Sequence, residues 1–353
     1  MSEIETGDAV PAFVASPPAA INAMVEELLD TTGVDRNRDL LREIVLSTLG
    51  FATANASRLD LKIARSAIAE MAAAFRVFAP YRDVRKVTMF GSARTAPSDP
   101  LYALARELAA ELSEAGYMVV TGAGPGIMAA GSEGAGRNMT LGVNIKLPFE
   151  TTANAYIDPD DKLVEMKYFF TRKLMLMKES IGYLVMPGGF GTLDECFELL
   201  TLIQTGKAEP APVVLIDIEG HHYWNHWERF LNEEVYARGF ADTIDSALYR
   251  IVDTPKAAID ELLGFHRNYQ SRRFVGRTMV IRLIHAPDDE TITRLSHDYA
   301  DICSAKGIWR TEPLAAERQG NDELGYERIA LEYSRAHQNR LRQLIDELNA
   351  IPF

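Results

Sequence analysis

Three short apolar runs in this chain each end at a glycine turn, and each turn leads into residues of helical period. Lys86-Val87-Thr88-Met89-Phe90 runs into Gly91-Ser92-Ala93-Arg94. Residues 117–120 run into Thr121-Gly122-Ala123-Gly124-Pro125-Gly126, and Tyr183-Leu184-Val185-Met186 into Pro187-Gly188-Gly189-Phe190-Gly191. A short, continuously apolar run suits a strand buried on both faces, and glycine is what breaks it. Further strands are predicted over 141–145, 212–218 and 248–252, with helices over 101–115, 127–137, 169–180, within 223–237 and on to 263. Strands that alternate with helices give an α/β fold, a doubly wound parallel sheet. Such sheets seat ligands beyond the carboxyl ends of their strands, so the turns at Gly91, Gly122 and Gly188 should converge on one rim.

The 353 residues leave room for more than this domain. Residues 1–17, rich in Ala, Pro and Ser, are expected to be a mobile tail. Residues 18–83 read as a helical extension, with helices over 20–29, 38–54 and 60–78, the last capped by Asp60. The sheet domain spans 84–267, and 268–353 form a small α+β region. Within that region, 268–277 read as a polar, basic linker, 278–284 and 307–311 as strands, and 288–300 and 326–348 as helices.

A net charge of −13 argues against a nucleic-acid partner. A small anionic substrate stays open, because local donors decide that. Two cysteines, Cys196 and Cys303, give neither a disulfide framework nor a zinc spacing, and Cys196 falls on the core side of its helix pattern. No apolar run approaches the ~18 residues that span a bilayer, and the first basic residue is Arg36. These features predict a soluble, cytoplasmic protein with no membrane partner.

The chemistry concentrates at 187–195. A strand, a glycine loop and a helix opening at Thr192 form an anion site, because the first amides of a helix lack partners and its dipole end is positive. Gly188, Gly189, Phe190, Gly191 and Thr192 are the candidates to grip a phosphate. Glu195, three residues past Thr192, has two readings: a capping box with Thr192, or a carboxylate free for chemistry. In the helix before this strand, Phe170, Leu174 and Met177 are expected to be the buried stripe, with Arg172 and Lys173 on other faces. There the pair is either solvated or a fork for phosphate near the rim. Gly122-x-Gly124-x-Gly126 departs from a dinucleotide fingerprint in the place of its third glycine. No acidic residue ends the next strand, which argues against NAD. His221, His222 and His226 lack the HExxH pattern and sit among Trp224, Trp227 and Phe230, as in a packing helix. No metal or cofactor is expected.

Four pieces in order resemble the LOG ("Lonely Guy") family, often labelled as lysine decarboxylases. They are Gly91-Ser92-Ala93-Arg94; Gly122-Ala123-Gly124-Pro125-Gly126-Ile127-Met128; Arg172-Lys173; and Pro187-Gly188-Gly189-Phe190-Gly191-Thr192-Leu193-Asp194-Glu195. Leu147-Pro148-Phe149-Glu150, Asn154 and Tyr156 are similar to longer members. The resemblance implies a Rossmann-like fold and a phosphoribohydrolase that splits nucleoside 5′-monophosphates, AMP or cytokinin riboside monophosphates, into free base and ribose 5-phosphate. It places the family's catalytic residues on Arg172 and Glu195. Gly91, Ser92, Gly124, Gly126, Met128 and Lys173 are expected to complete the substrate pocket. It also implies a homo-oligomer, a dimer or higher. Two other readings are a carrier of a phosphorylated cofactor such as the molybdenum cofactor, which needs no Arg–Glu pair, and an NAD-dependent oxidoreductase.

Overall fold

A computed structural model of the chain describes residues 17–147, 153–334 and 337–352. The expected tail up to residue 16 and Pro148-Phe149-Glu150 fall outside the described residues. The rest divides into two compact units, one ending at Ala69 and one beginning at Glu70.

The first unit is helical. α1 (Ala19–Thr31) and α2 (Arg38–Thr53) meet through Val25, Leu29 and Leu46. α3 (Arg58–Phe78) starts earlier than expected, and Asp60 is not its cap. The Asp60 amide donates to Ser57 Oγ at 3.2 Å, while the Ser57 amide donates to Asp60 Oδ2 at 2.8 Å. Ser57 is thus the cap and Asp60 its reciprocal partner.

The second unit holds two sheets. The larger has seven parallel strands in the order β4-β3-β2-β1-β5-β6-β7. They are β1 (Lys86–Phe90), β2 (Met118–Thr121), β3 (Thr140–Ile145), β4 (Leu163–Met166), β5 (Gly182–Val185), β6 (Val213–Ile216) and β7 (Arg250–Val252). On one face α4 (Pro100–Glu114), α5 (Ile127–Met139) and α9 (Pro255–Gly264) bury Val87, Met89, Val119, Leu184 and Val214. On the other, α6 (Phe169–Lys178), α7 (Phe190–Gln204), α8 (Tyr223–Phe230) and the end of α3 bury Phe90, Val120, Val143, Val185 and Leu215. This is the doubly wound parallel sheet that the alternation predicts. β4 is the strand without a forecast: it is short, and its alternating burial at the sheet edge lacks the continuous apolar run of the others. Among the described residues no helix is long and apolar enough to cross a membrane.

The smaller sheet is antiparallel, in the order β10-β11-β9-β8. Its strands are β8 (Tyr269–Val275), β9 (Thr278–Leu283), β10 (Cys303–Arg310) and β11 (Glu327–Tyr333). α10 (Asp289–Asp298) and α12 (Gln338–Ala350) contribute Leu295, Leu341, Leu344 and Leu348 to its apolar core, and α11 (Ala315–Gly320) brings Glu317 to Arg282 and Arg328. Two expectations are corrected here. Residues 268–277 are not a linker but carry β8, and 326–348 are not one helix but β11 followed by α12. Buried arginines disguised both strands. Arg272 donates to Glu209 at 2.9 Å, and Arg328 lies inside the sheet.

Glu317 is fully buried and accepts from Arg282 at 2.8 Å, Arg328 at 3.3 Å and the Leu314 amide at 3.0 Å. Glu317→Ala takes a shared acceptor from two buried guanidinium groups, leaving Arg282 with Asp322 at 2.6 Å and Arg328 with backbone carbonyls, and urea denaturation should show a loss of about 1–3 kcal/mol. Burial raises this carboxyl, but the Leu314 amide and Arg282 outweigh it and hold it below its ordinary value. The stabilisation is therefore present at neutral pH and fades as the pH falls below the ordinary glutamate range.

Candidate active site

The carboxyl ends of β1, β2 and β5 surround a cavity of about 550 Å³. Gly91, Gly122 and Gly188 all line it, so the three glycine turns converge as the alternation predicts. Backbone bonds stitch the turns together. The Ser92 amide donates to the Pro187 carbonyl at 3.2 Å, and the Ile127 amide to the Ser92 carbonyl at 3.0 Å. Gly126 has φ +67°, and a Cβ there would stand 2.3 Å from the Ser92 carbonyl oxygen. Only glycine lets these two turns touch. Asn154 donates to the Gly124 carbonyl at 3.1 Å and holds the β2 turn from outside.

α7 opens at Phe190 with Gly189 as its N-cap, two residues before the expected start at Thr192. A glycine can sit inside a first turn as readily as before it, which hid the boundary. Thr192 is the third helical residue and is buried, folded under Gly188; a Cβ on that glycine would lie 2.2 Å from the Thr192 hydroxyl. The N-cap makes no side-chain bond, so the Thr192–Glu195 capping box does not form. Gly189 and Gly191 have open space where a Cβ would stand. The first-turn amides therefore form a wall of the cavity, which Phe190, Gly191 and Thr192 line. Tyr223 fixes the loop from behind, its hydroxyl donating to the Gly188 carbonyl at 2.7 Å.

Glu195 turns to Arg172 instead of its own backbone. The Arg172 Nη1 donates to Glu195 Oε1 at 3.0 Å, Nε to the Val143 carbonyl at 2.9 Å, and Nη2 lies 3.5 Å from the Gly122 carbonyl. Arg172 is 7% exposed and the Glu195 side chain 13%, and both line the cavity. The expected faces of α6 are thus corrected at Phe170, Leu174 and Arg172, while Met177 is buried as expected. Phe170 and Leu174 are exposed, while Thr171, Arg172, Met175 and Met177 are buried. Burial raises the Glu195 carboxyl above its ordinary value, with the charges of Arg172 and Lys173 pulling against it. Burial lowers the Arg172 guanidinium, opposed by Glu195, and the group keeps its proton because its intrinsic pKa exceeds ~12.

Of the predicted pocket residues, Gly91, Ser92, Met128 and 188–192 line the cavity with the Arg–Glu pair. Gly124 and Gly126 stand behind it as turn residues. Lys173 points elsewhere, to Asp194 at 2.7 Å and Glu198 at 2.6 Å. Gly122, whose turn is expected at this rim, and Arg94, which is not among the expected pocket residues, also line the cavity. The signal for Arg94 is the Gly91-Ser92-Ala93-Arg94 motif that it closes. Trp224 and Trp227 are buried, as expected of a packing helix, while Phe230 is exposed. The buried Cys196 thiol is pushed up to about 12 by desolvation.

A crevice at the carboxyl ends of a doubly wound parallel sheet, with a glycine-rich helix start beside a buried Arg–Glu pair, defines an α/β protein with a cavity at its topological switch point. The family described as "Possible lysine decarboxylase" matches residues 125–262. The chain is 36% identical over 86 residues to the cytokinin riboside 5′-monophosphate phosphoribohydrolase LOG1 of Arabidopsis thaliana, covering 24% of this chain and 38% of that protein. It is 32% identical over 133 residues to the cytokinin riboside 5′-monophosphate phosphoribohydrolase of Mycobacterium tuberculosis, covering 35% of this chain and 68% of that protein. Among solved structures it is similar to the molybdenum cofactor carrier protein of Chlamydomonas reinhardtii, at 19% identity and TM-score 0.35 over 51% of this chain and 98% of that one. The chain belongs to the LOG family.

A Cβ at Gly122 would stand 1.9 Å from Arg172 Nη2. Gly122→Ala should keep the fold, cost about 1–3 kcal/mol by overpacking, and push Arg172 out of hydrogen-bond reach of Glu195. A crystal structure of the variant with the pair intact would contradict this.

Proposed function

We propose that this protein hydrolyses the N-glycosidic bond of nucleoside 5′-monophosphates, such as AMP or a cytokinin riboside monophosphate, to free base and ribose 5-phosphate. One observation carries the reading: a buried carboxylate, Glu195, is held by Arg172 in the wall of a cavity whose adjoining wall is a glycine-rich helix start. The family and the names of its relatives support the same reaction class.

The chemistry follows from the bond. As C1′–N breaks, positive charge grows on the ribose, and a fixed carboxylate nearby stabilises it and orients the water. Water supplies the new C1′–O bond, and the departing base gains a proton. The amides of Gly189 to Thr192 and the Ser92 turn would seat the 5′-phosphate, which presents the sugar to Glu195. Arg172 does not deliver protons in this scheme; it holds the carboxylate and offers charge to the phosphate or base. Neither a metal nor a cofactor is called for.

We also infer a homo-oligomer, at least a dimer. Phe169 and Phe170 are each 54% exposed and Leu174 follows one turn later, an apolar stripe that a second copy would cover.

Nucleoside monophosphates, nucleosides and triphosphates, with released bases separated by chromatography, test the activity. Free base from monophosphates is the expected result; binding without release would favour the carrier reading. Glu195→Gln should lower kcat by about 10²–10⁴-fold, the cost of losing a positioned catalytic group. The ionised carboxylate is the working form, so kcat/KM should fall as the pH drops through its raised pKa. The acid limb should therefore lie above the ordinary glutamate value of 4.5.

A further inference from the structure

The helix that carries Arg172 starts without a cap of its own. Tyr168, its N-cap, makes no side-chain capping bond. The missing acceptor comes from far upstream. Glu70 Oε2, on α3, accepts from the Thr171 hydroxyl at 2.6 Å and from the Tyr168 amide at 3.4 Å. In a capping box the third helical residue reaches back to the N-cap amide with its own carboxylate. Here the third residue is Thr171, too short to do so, and Glu70 supplies the carboxylate from another helix. Its negative charge also meets the positive end of the α6 dipole.

The anchor sits beside the site. Thr171 is fully buried and adjoins Arg172. At the far end of α6, the Thr88 hydroxyl donates to the Leu176 carbonyl at 2.7 Å. α6 is thus pinned at both ends, and its rotation and depth set where the Arg172 guanidinium lies. That group must meet acceptors on β3, at the β2 turn and on α7 together, which leaves tolerance on the order of 0.5 Å.

We propose that Glu70 is a positioning residue: by capping α6 from α3, it holds Arg172 against Glu195, so turnover depends on a helix upstream of the family match at 125–262. This rests on the hydrolase reading. Glu195 is faced by Arg172 and Lys173 from α6 and by Asp194 on its own helix. If Arg172 draws back, Glu195 loses part of what pulls its carboxyl down.

The test uses the full chain, AMP as substrate, and the variants Glu70→Ala, Glu70→Gln and Thr171→Val. Glu70→Ala should lower kcat by about 10- to 100-fold, as a displacement near 1 Å does, with a smaller change in KM. Its acid limb should move to higher pH. Glu70→Gln keeps an acceptor oxygen for both donors and should restore kcat to within about threefold and the limb to its wild-type place. Thr171→Val removes the donor from the other side of the bond and should reproduce both changes, which keeps the test open if Glu70→Ala does not fold. A merely structural role would lower the urea midpoint and leave the acid limb where it was; that result, or wild-type kinetics in Glu70→Ala or Thr171→Val, overturns the proposal alone. A wild-type protein that releases no base from any nucleoside monophosphate overturns the hydrolase reading, and this inference with it.

Discussion

The site depends on an ion pair taken almost wholly out of water. Moving a guanidinium and a carboxylate from solvent costs several kcal/mol each, and their attraction offsets that only with good geometry and further bonds. Arg172 finds them in three places: the Val143 carbonyl within β3, the Gly122 carbonyl just past β2, and Glu195 on α7. No local stretch of chain could gather these acceptors. The strand order β3-β2-β1-β5 brings them to one rim. Gly122 leaves room for the guanidinium to lie over the turn, where a Cβ would collide with it.

The remaining walls follow from the same need for fixed geometry. The loop before α7 is held by its own Thr192 beneath Gly188, by the Tyr223 hydroxyl behind it, and by the Ser92 amide across the β1 turn. Each contact involves a backbone carbonyl or a missing Cβ, so the loop's shape is set by its own backbone with the Thr192 and Tyr223 side chains packed and bonded against it. A buried ion pair is a poor stabiliser, since apolar residues of like volume would often serve better. Its place in a cavity wall, with the carboxyl raised by burial, is the environment that the proposed role of Glu195 requires.

The sheet and its three turns were legible because strands buried on both faces read as unbroken apolar runs, and because glycine marks the points where backbones touch. α6 was misread for a specific reason. Hydropathy turns Phe170 and Leu174 inward and Arg172 outward, whereas the protein does the reverse, the arginine having a carboxylate 23 residues away. The start of α7 was misplaced because Gly191 looks like loop yet lies within the first turn. The sequences of β8 and β11 read as a linker and as part of a helix because their arginines look solvated. Arg272 reaches Glu209 across 63 residues, and Arg328 reaches Glu317 across 11.

One cause underlies most of these errors, and it separates site from scaffold. Arginine is scored as surface, but a planar guanidinium is weakly hydrated and can be buried wherever a distant acid meets it. Among the described residues this happens beside the parallel sheet, at Arg172 on α6, and within the antiparallel one, at Arg282 and Arg328. Around Glu317, the Arg282 and Arg328 side chains are closed in between β9, β11 and α11, and the acid is held below its ordinary range because its bonds outweigh its burial. Around Glu195 the balance runs the other way: burial prevails, the carboxyl is raised, and the pair opens onto a cavity of about 550 Å³. Charge burial alone therefore marks no site. A buried acid whose carboxyl is raised and faces a cavity meets what the proposed reaction needs, because a fixed carboxylate there would stabilise a developing positive charge.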